Sequence, residues 1–310
     1  MDNKKLTGHT AMFSANLIFG LNTAVSRTLM PEIMSPYVLT FFRLSGGLLL
    51  FWLVSLFVKS EKVTAKDKLL LFFASLFALT LNQLPYFIGL SITSPIDASI
   101  VVTMLPILTM ILAAVFIKEP ITLLKTIGVL VGASGALLLV FHSQTPHVGQ
   151  SNFIGNIIVF GGVGSFALYL TLFKELISRY SAVTIMKWMF LFGTLVCLPF
   201  CYKPIIETNF SLLTASNYWR IAYVVVFATF FGYLLIPIGQ KVLRPTTLSM
   251  YNYLQPVVAS MVAVAIGIDS FGPDKALSGL LVFAGVYIVT QSKTKAQMDA
   301  EKALKNQQTN

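Results

Sequence analysis

Ten stretches of this chain are long and apolar enough to cross a bilayer, and little is left over to build anything else. A bilayer core takes about 20 consecutive, mostly apolar residues per helix. The stretches run roughly 8–28, 36–58, 69–91, 95–117, 122–141, 153–173, 183–202, 219–239, 246–268 and 272–291. Their connections are short, so successive helices are antiparallel neighbours and no room remains for a soluble domain. The punctuation is helical: Ser35-Pro36 and Ser94-Pro95 each set an N-cap residue before a proline at the first helical position. A tight turn at Lys118-Glu119-Pro120 joins the fourth and fifth stretches. Of the 310 residues, 56% are hydrophobic and 11% charged, against about 25% charged in ordinary soluble proteins. So few charges cannot coat a water-soluble globule of this size, and a disordered chain would be poorer in apolar residues. The fold class is all-α integral membrane.

A formal net charge of +10 invites a nucleic-acid reading until the basic residues are placed. With the N-terminus cytoplasmic, 17 of the 22 lysines and arginines fall on inner loops and termini, Lys59, Lys62, Lys66 and Lys68 among them. The outer loops hold Arg27, Lys203, Arg220 and Lys275, and Arg43 lies within a span. That bias orients both ends inward and accounts for the charge without nucleic acid. The charged start Met1 to Lys5 imitates a signal peptide, but the segment after it is too long and lacks a cleavage site, so it reads as a retained span. Cys197 and Cys201 sit four apart on one apolar stretch and read as two small apolar side chains.

The chain also aligns with itself. Adding 150 pairs Phe77 with Phe227, Gly89 with Gly239, Pro95 with Pro245, Ser99 with Ser249, Pro106 with Pro256 and Gly135 with Gly285, without gaps. Glu119 meets another acid, Asp269. Chance matches leucines and alanines in apolar sequence, but not prolines and glycines in register over more than fifty residues. Adding 147 aligns the earlier part, with Phe19 on Phe166 and Gly46 on Gly193. The unit is therefore five spans: a first repeat over 1–145, a second over 146–291, and a polar cytoplasmic tail over 292–310. Five is odd, so the second copy is inverted, a layout characteristic of secondary transporters.

Ten spans in two five-helix repeats resemble the drug/metabolite transporter superfamily, specifically its EamA-type members. The resemblance rests on Ser94-Pro95-Ile96-Asp97-Ala98-Ser99, Leu105-Pro106, Lys118-Glu119-Pro120-Ile121-Thr122 and Gly128 through Gly135, with a weaker echo from Arg244-Pro245 through Gln255-Pro256 to Gly285. It covers about residues 8 to 291. It implies export or exchange of small metabolites or drug-like solutes across the inner membrane. Spans one to four and six to nine would then surround a central cavity, with five and ten outside.

Candidate pathway residues emerge from depth and helical spacing. Pro106 and Pro256 fall near the midplane of spans four and nine, where each removes a helical hydrogen bond and frees a carbonyl. Ser99, Thr103, Pro106 and Met110 share one stripe, and Ser249, Tyr253, Pro256 and Ser260 are their repeat mates. Polar side chains at that depth should face the bundle interior, and Val102, about 100° around the helix, should face packing or lipid. Span three adds Asn82, Gln83 and Tyr86 around Pro85; span six adds Tyr169; span eight adds Tyr233 near Pro237. Arg43 lies about 10 Å down the helix from Pro36, either snorkelling to the outer interface or meeting an anion in the cavity. Asp97 is the carboxylate available for proton coupling, although with Ser94 it also makes a capping box. Gly128, Gly132 and Gly135 read as a close helix contact.

Two other function classes remain in view: a polytopic enzyme acting on a lipid-linked substrate, and a membrane scaffold. No HExxH, GxSxG or Walker pattern favours an enzyme. The expectation is a non-enzymatic carrier without cofactor or metal. Its partners would be a small-molecule substrate and the lipid bilayer, with homodimerisation left open.

Overall fold

The computed structural model describes residues 3–30, 32–93, 95–142, 152–265, 272–293, 297–301 and 304. Among the described residues, helices occupy each of the ten stretches. α1 (Asn3–Arg27) and α2 (Pro36–Ser55) are single helices. The third stretch is composite: α3 (Ala65–Ser75), a π-helical segment Leu76–Thr80, and α4 (Leu81–Ile92). The fourth is broken into α5 (Pro95–Val102) and α6 (Leu105–Phe116). α7 (Leu123–His142) and α8 (Phe153–Leu172) come next, then a short α9 (Lys174–Arg179) and the long α10 (Ala182–Glu207). The eighth is again composite: α11 (Ala215–Tyr223), a π-helical Val224–Phe231, and α12 (Gly232–Val242). The ninth comprises α13 (Pro245–Met250), a 3₁₀ turn Tyr251–Tyr253 and α14 (Leu254–Ala265); the tenth is α15 (Pro273–Gln291).

Capping side chains fix where the helices start. Ser35, Thr64, Asn152, Ser181 and Thr214 each accept a hydrogen bond from the backbone N–H three residues on, which satisfies one of the donors a helix start leaves unpaired. At the α6–α7 turn Lys118 takes a positive φ of 52°, and the Glu119 N–H reaches back to the Ala113 carbonyl.

Among the described residues, eight of the ten stretches are long and apolar enough to cross a membrane by length and composition. The other two are α1 and the α13–α14 pair. Both carry interior polar groups, and they pack on each other. The Gln255 amide of α14 donates to Asn16 Oδ1 of α1 at 2.9 Å.

Helix packing follows the glycines. α4 meets α8 where Gly89 faces the Gly155 carbonyl, and α1 meets α12 at Gly8 and Gly239. α7 and α15 are in close contact: a Cβ on Gly285 would stand 2.5 Å from the Gly132 nitrogen, and one on Gly128 would stand 2.9 Å from the Gly285 carbonyl. α2 packs against α10, where Phe51 lies 5.2 Å from Phe190 ring to ring. Cys197 and Cys201 are free thiols buried in α10.

One end of the bundle is tied by charge. Lys125 Nζ lies 2.8 Å from Glu119 Oε1, with exposures of only 1% and 8%, and donates also to the Pro120 carbonyl. Arg244 approaches the same carboxylate at 4.0 Å and donates to Val289 and Ser292 of the α15 end. Nearby, Asp67 receives Arg179 at 3.0 Å and Tyr180 at 2.6 Å, and Glu61 accepts from the Ser181 N–H. Toward the other end lies an apolar cluster of Leu29, Met34, Val38, Leu39 and Val224. Asp269, the sequence mate of Glu119, lies outside the described residues.

Candidate substrate cavity

Among these helices lies a cavity of about 130 Å³, walled by α1, α2, α4, α5, α6, α8, α12 and α14.

The cavity forms where helices are irregular. Pro106 has no N–H for the carbonyl of Val102, and Pro256 has none for that of Asn252. Both carbonyl-bearing residues line the cavity. The break at Thr103–Met104 and the 3₁₀ turn Tyr251–Tyr253 sit just before the two prolines. The two π-helical segments precede Asn82–Gln83 and Tyr233 in the same way, and such segments frequently mark functional positions in helices.

Five of the sequence-predicted residues share this wall: Arg43, Asn82, Gln83, Tyr86 and Tyr233. Arg43 is 4% exposed, with its guanidinium carbon 5.3 Å from the centre of the Phe87 ring. It therefore points into the protein rather than snorkelling. Its Nε has no hydrogen-bond partner, and neither amide atom of Gln83 has one. Asn82 donates to the Gly162 carbonyl at 3.0 Å, joining α4 to α8. Tyr233 is edge-on to both Phe19 and Phe190. Gln255 and Asn252 also line the cavity; the Gln255 amide donates to Asn252 and, beyond the lining, to Asn16 of α1, at 2.9 Å each.

Other predicted residues lie outside the wall. The stripe of Ser99, Thr103, Pro106, Ser249, Tyr253 and Pro256 is turned away from it by about one residue. Thr103 donates back to Ile100, and Ser249 back to Thr246. Tyr253 is 1% exposed and packs on Gly132 of α7. Val102, expected to face packing or lipid, lines the cavity with Leu105. The break at Thr103–Met104 explains the shift, since the stripe assumes an unbroken helix. Tyr169 is also 1% exposed and stacks behind Phe166. Asp97 is partly buried in the first turn of α5 and does not line the cavity; Ser94, its expected capping partner, lies outside the described residues.

Sequence reasoning missed Phe19, Asn22, Val102, Asn252 and Gln255 on this wall, yet the repeat held a signal for them. At the two offsets the wall takes both members of five pairs: Phe19 and Phe166, Gln83 and Tyr233, Tyr86 and Ile236, Val102 and Asn252, Leu105 and Gln255. Arg43 has no charged counterpart, because its mate is Phe190.

The profile of the EamA-like transporter family matches the chain twice, over residues 6–141 and 153–291. Among curated relatives, the uncharacterized transporter YyaM of Bacillus subtilis is 25% identical, over 68% of this chain and 72% of its own. An uncharacterized transporter of Archaeoglobus fulgidus is 24% identical over 76% and 82%. A WAT1-related protein of Arabidopsis thaliana is 25% identical over 88% and 75%. One crystal structure superposes with a TM-score of 0.75 at 16% identity, over 94% of this chain and 97% of its own, a likeness of fold alone. With both halves of its helical bundle matched, the chain belongs to the EamA-like transporter family.

Proposed function

We propose that the chain is a secondary transporter that moves a small metabolite or drug-like solute across the cytoplasmic membrane by alternating access, as an exporter or exchanger. The observation that carries this reading is the central cavity walled by residues that the sequence repeat pairs with one another. In this reading ten helices cross the membrane with both termini cytoplasmic, as two inverted five-helix units over 1–145 and 146–291.

The packing supports the inverted pair. α1 contacts α12 and α14, while α8, its counterpart, contacts α4 and α6. α2 pairs with its counterpart α10, and α7 with its counterpart α15. Exchanging the two units returns these pairings, as expected of units related by a two-fold axis in the membrane plane. The π-helical segments and the pre-proline breaks repeat at the same offset.

Arg43, Asn82, Gln83, Tyr86 and Tyr233 then lie on the solute path, with Val102, Leu105, Asn252 and Gln255 replacing the expected stripe. A proton on Asp97 would act on the outer end of α5 rather than on the solute.

The test compares metabolites in the medium of cells expressing the wild type, cells expressing Asn252→Trp, which fills the cavity, and cells lacking the protein. One or a few solutes should change with the wild type alone. Identical profiles in all three cultures would contradict transport.

A further inference from the structure

Among the described residues, the cavity wall holds a single group charged at neutral pH, Arg43, and no carboxylate. Arg43 makes no ion pair with any described residue, and its buried Nε has no hydrogen-bond partner. Leaving a buried cation without a counter-charge is costly, by several kcal/mol in real proteins. A structural role would have placed an acid beside it, as Glu119 stands beside Lys125. Instead it meets the face of Phe87, which holds a cation without neutralising it.

Gln83 repeats the pattern in neutral form. It is 3% exposed, and neither its amide nitrogen nor its oxygen has a partner. Buried amides ordinarily have a hydrogen-bond partner, so this one is open to a group that enters. The rest of the wall adds rings at Phe19, Phe166 and Tyr233 and an amide edge at Gln255.

We propose that the solute is a small organic monocarboxylate with an apolar or aromatic body, whose carboxylate is received by Arg43 and Gln83. Guanidinium and carboxylate match in planar geometry and can share two hydrogen bonds. One cation selects one negative charge: a dianion would enter with a charge uncompensated. An amine would meet Arg43 as a like charge with no acid to offset it. The assignment rests on the reading of this cavity as the solute path, and it adds the chemical class of the solute.

The test uses three probes of one shape on the full-length protein in lipid nanodiscs: phenylacetate, phenylacetamide and phenethylamine, followed by calorimetric titration. Phenylacetate should bind about tenfold tighter than either neutral or cationic probe, as expected for hydrogen bonds to a charged group. Arg43→Gln should erase that preference, and Arg43→Lys should keep part of it. Because Arg43 has no protein counter-charge, Arg43→Gln should melt no lower than wild type, so that lost binding is not lost folding. Equal affinity for the three probes, a preference that survives Arg43→Gln, or no binding of phenylacetate would each overturn the monocarboxylate assignment. The transport reading stands or falls separately, on the medium profile and its Asn252→Trp control.

Discussion

The guanidinium carbon of Arg43 lies 5.3 Å from the centre of the Phe87 ring, and both residues line one cavity. A cation held by a ring rather than by an acid keeps its charge available to whatever enters. The second half of the chain has Phe190 where the first has Arg43, and Phe190 packs against Gly47, Phe51 and Tyr233. The two halves thus contribute paired residues around the cavity and differ in charge at Arg43 and Phe190.

The Glu119–Lys125 pair should behave in the opposite way, as a structural element. Glu119→Gln leaves the fully buried Lys125 without its counter-charge, and breaking a buried pair in this way typically costs about 3–5 kcal/mol. The thermal midpoint in detergent should fall clearly. Adding Lys125→Met should recover most of the loss, because it removes the stranded cation. A single variant that melts like wild type would show that the pair does not hold this end together.

Glu61 should make stability depend on acid pH. Burial pushes its carboxyl pKa up, but hydrogen bonds from Thr184 and Ser181 outweigh this and leave it below the ordinary value. A depressed folded-state pKa contributes stability above the unfolded value of about 4.3, and that stability is lost as pH falls through the folded pKa. Melting of the wild type between pH 6 and pH 3 should therefore steepen relative to Glu61→Gln. Parallel curves would remove Glu61 from the account.

Much of this fold is written in the sequence, because span length, capping residues and paired prolines are local or periodic signals. Ser35, Thr64 and Ser181 announce their helices, and the 150-residue offset links Gly89 with Gly239 before any packing is known. The wall of the cavity is less legible. Drawing a face on span four assumes 3.6 residues per turn throughout, and the break at Thr103–Met104 rotates the helix beyond it. The π-helical segments Leu76–Thr80 and Val224–Phe231 do the same in spans three and eight. Arg43 could be read either way from sequence, because only tertiary packing decides whether a long side chain turns outward or inward. Asn16 and Gln255 were invisible as a pair, since they stand 239 positions apart.

The proposed topology places Lys66 and Ser211 on opposite sides of the membrane. Both are exposed, and Ser211 closes the sequon Asn209-Phe210-Ser211. Cysteine introduced at Ser211 should react with a membrane-impermeant maleimide added to intact cells, and cysteine at Lys66 should react only after permeabilisation. Reaction at Lys66 in intact cells would reverse or break the assigned orientation.

The central claim is that the cavity between the paired residues is the solute path. Single cysteines at Val102 and Asn252, which line it, and at Thr103 and Tyr253, which do not, test that claim on helices four and nine at once. The native thiols Cys197 and Cys201 are fully buried, so background reaction should be low. In intact membranes a small water-soluble thiol reagent should modify Val102→Cys and Asn252→Cys readily and Thr103→Cys and Tyr253→Cys slowly, with the transported solute protecting the first pair. Fast labelling of Thr103→Cys and Tyr253→Cys together with unreactive Val102→Cys and Asn252→Cys would contradict the account and return the pathway to the neighbouring stripe.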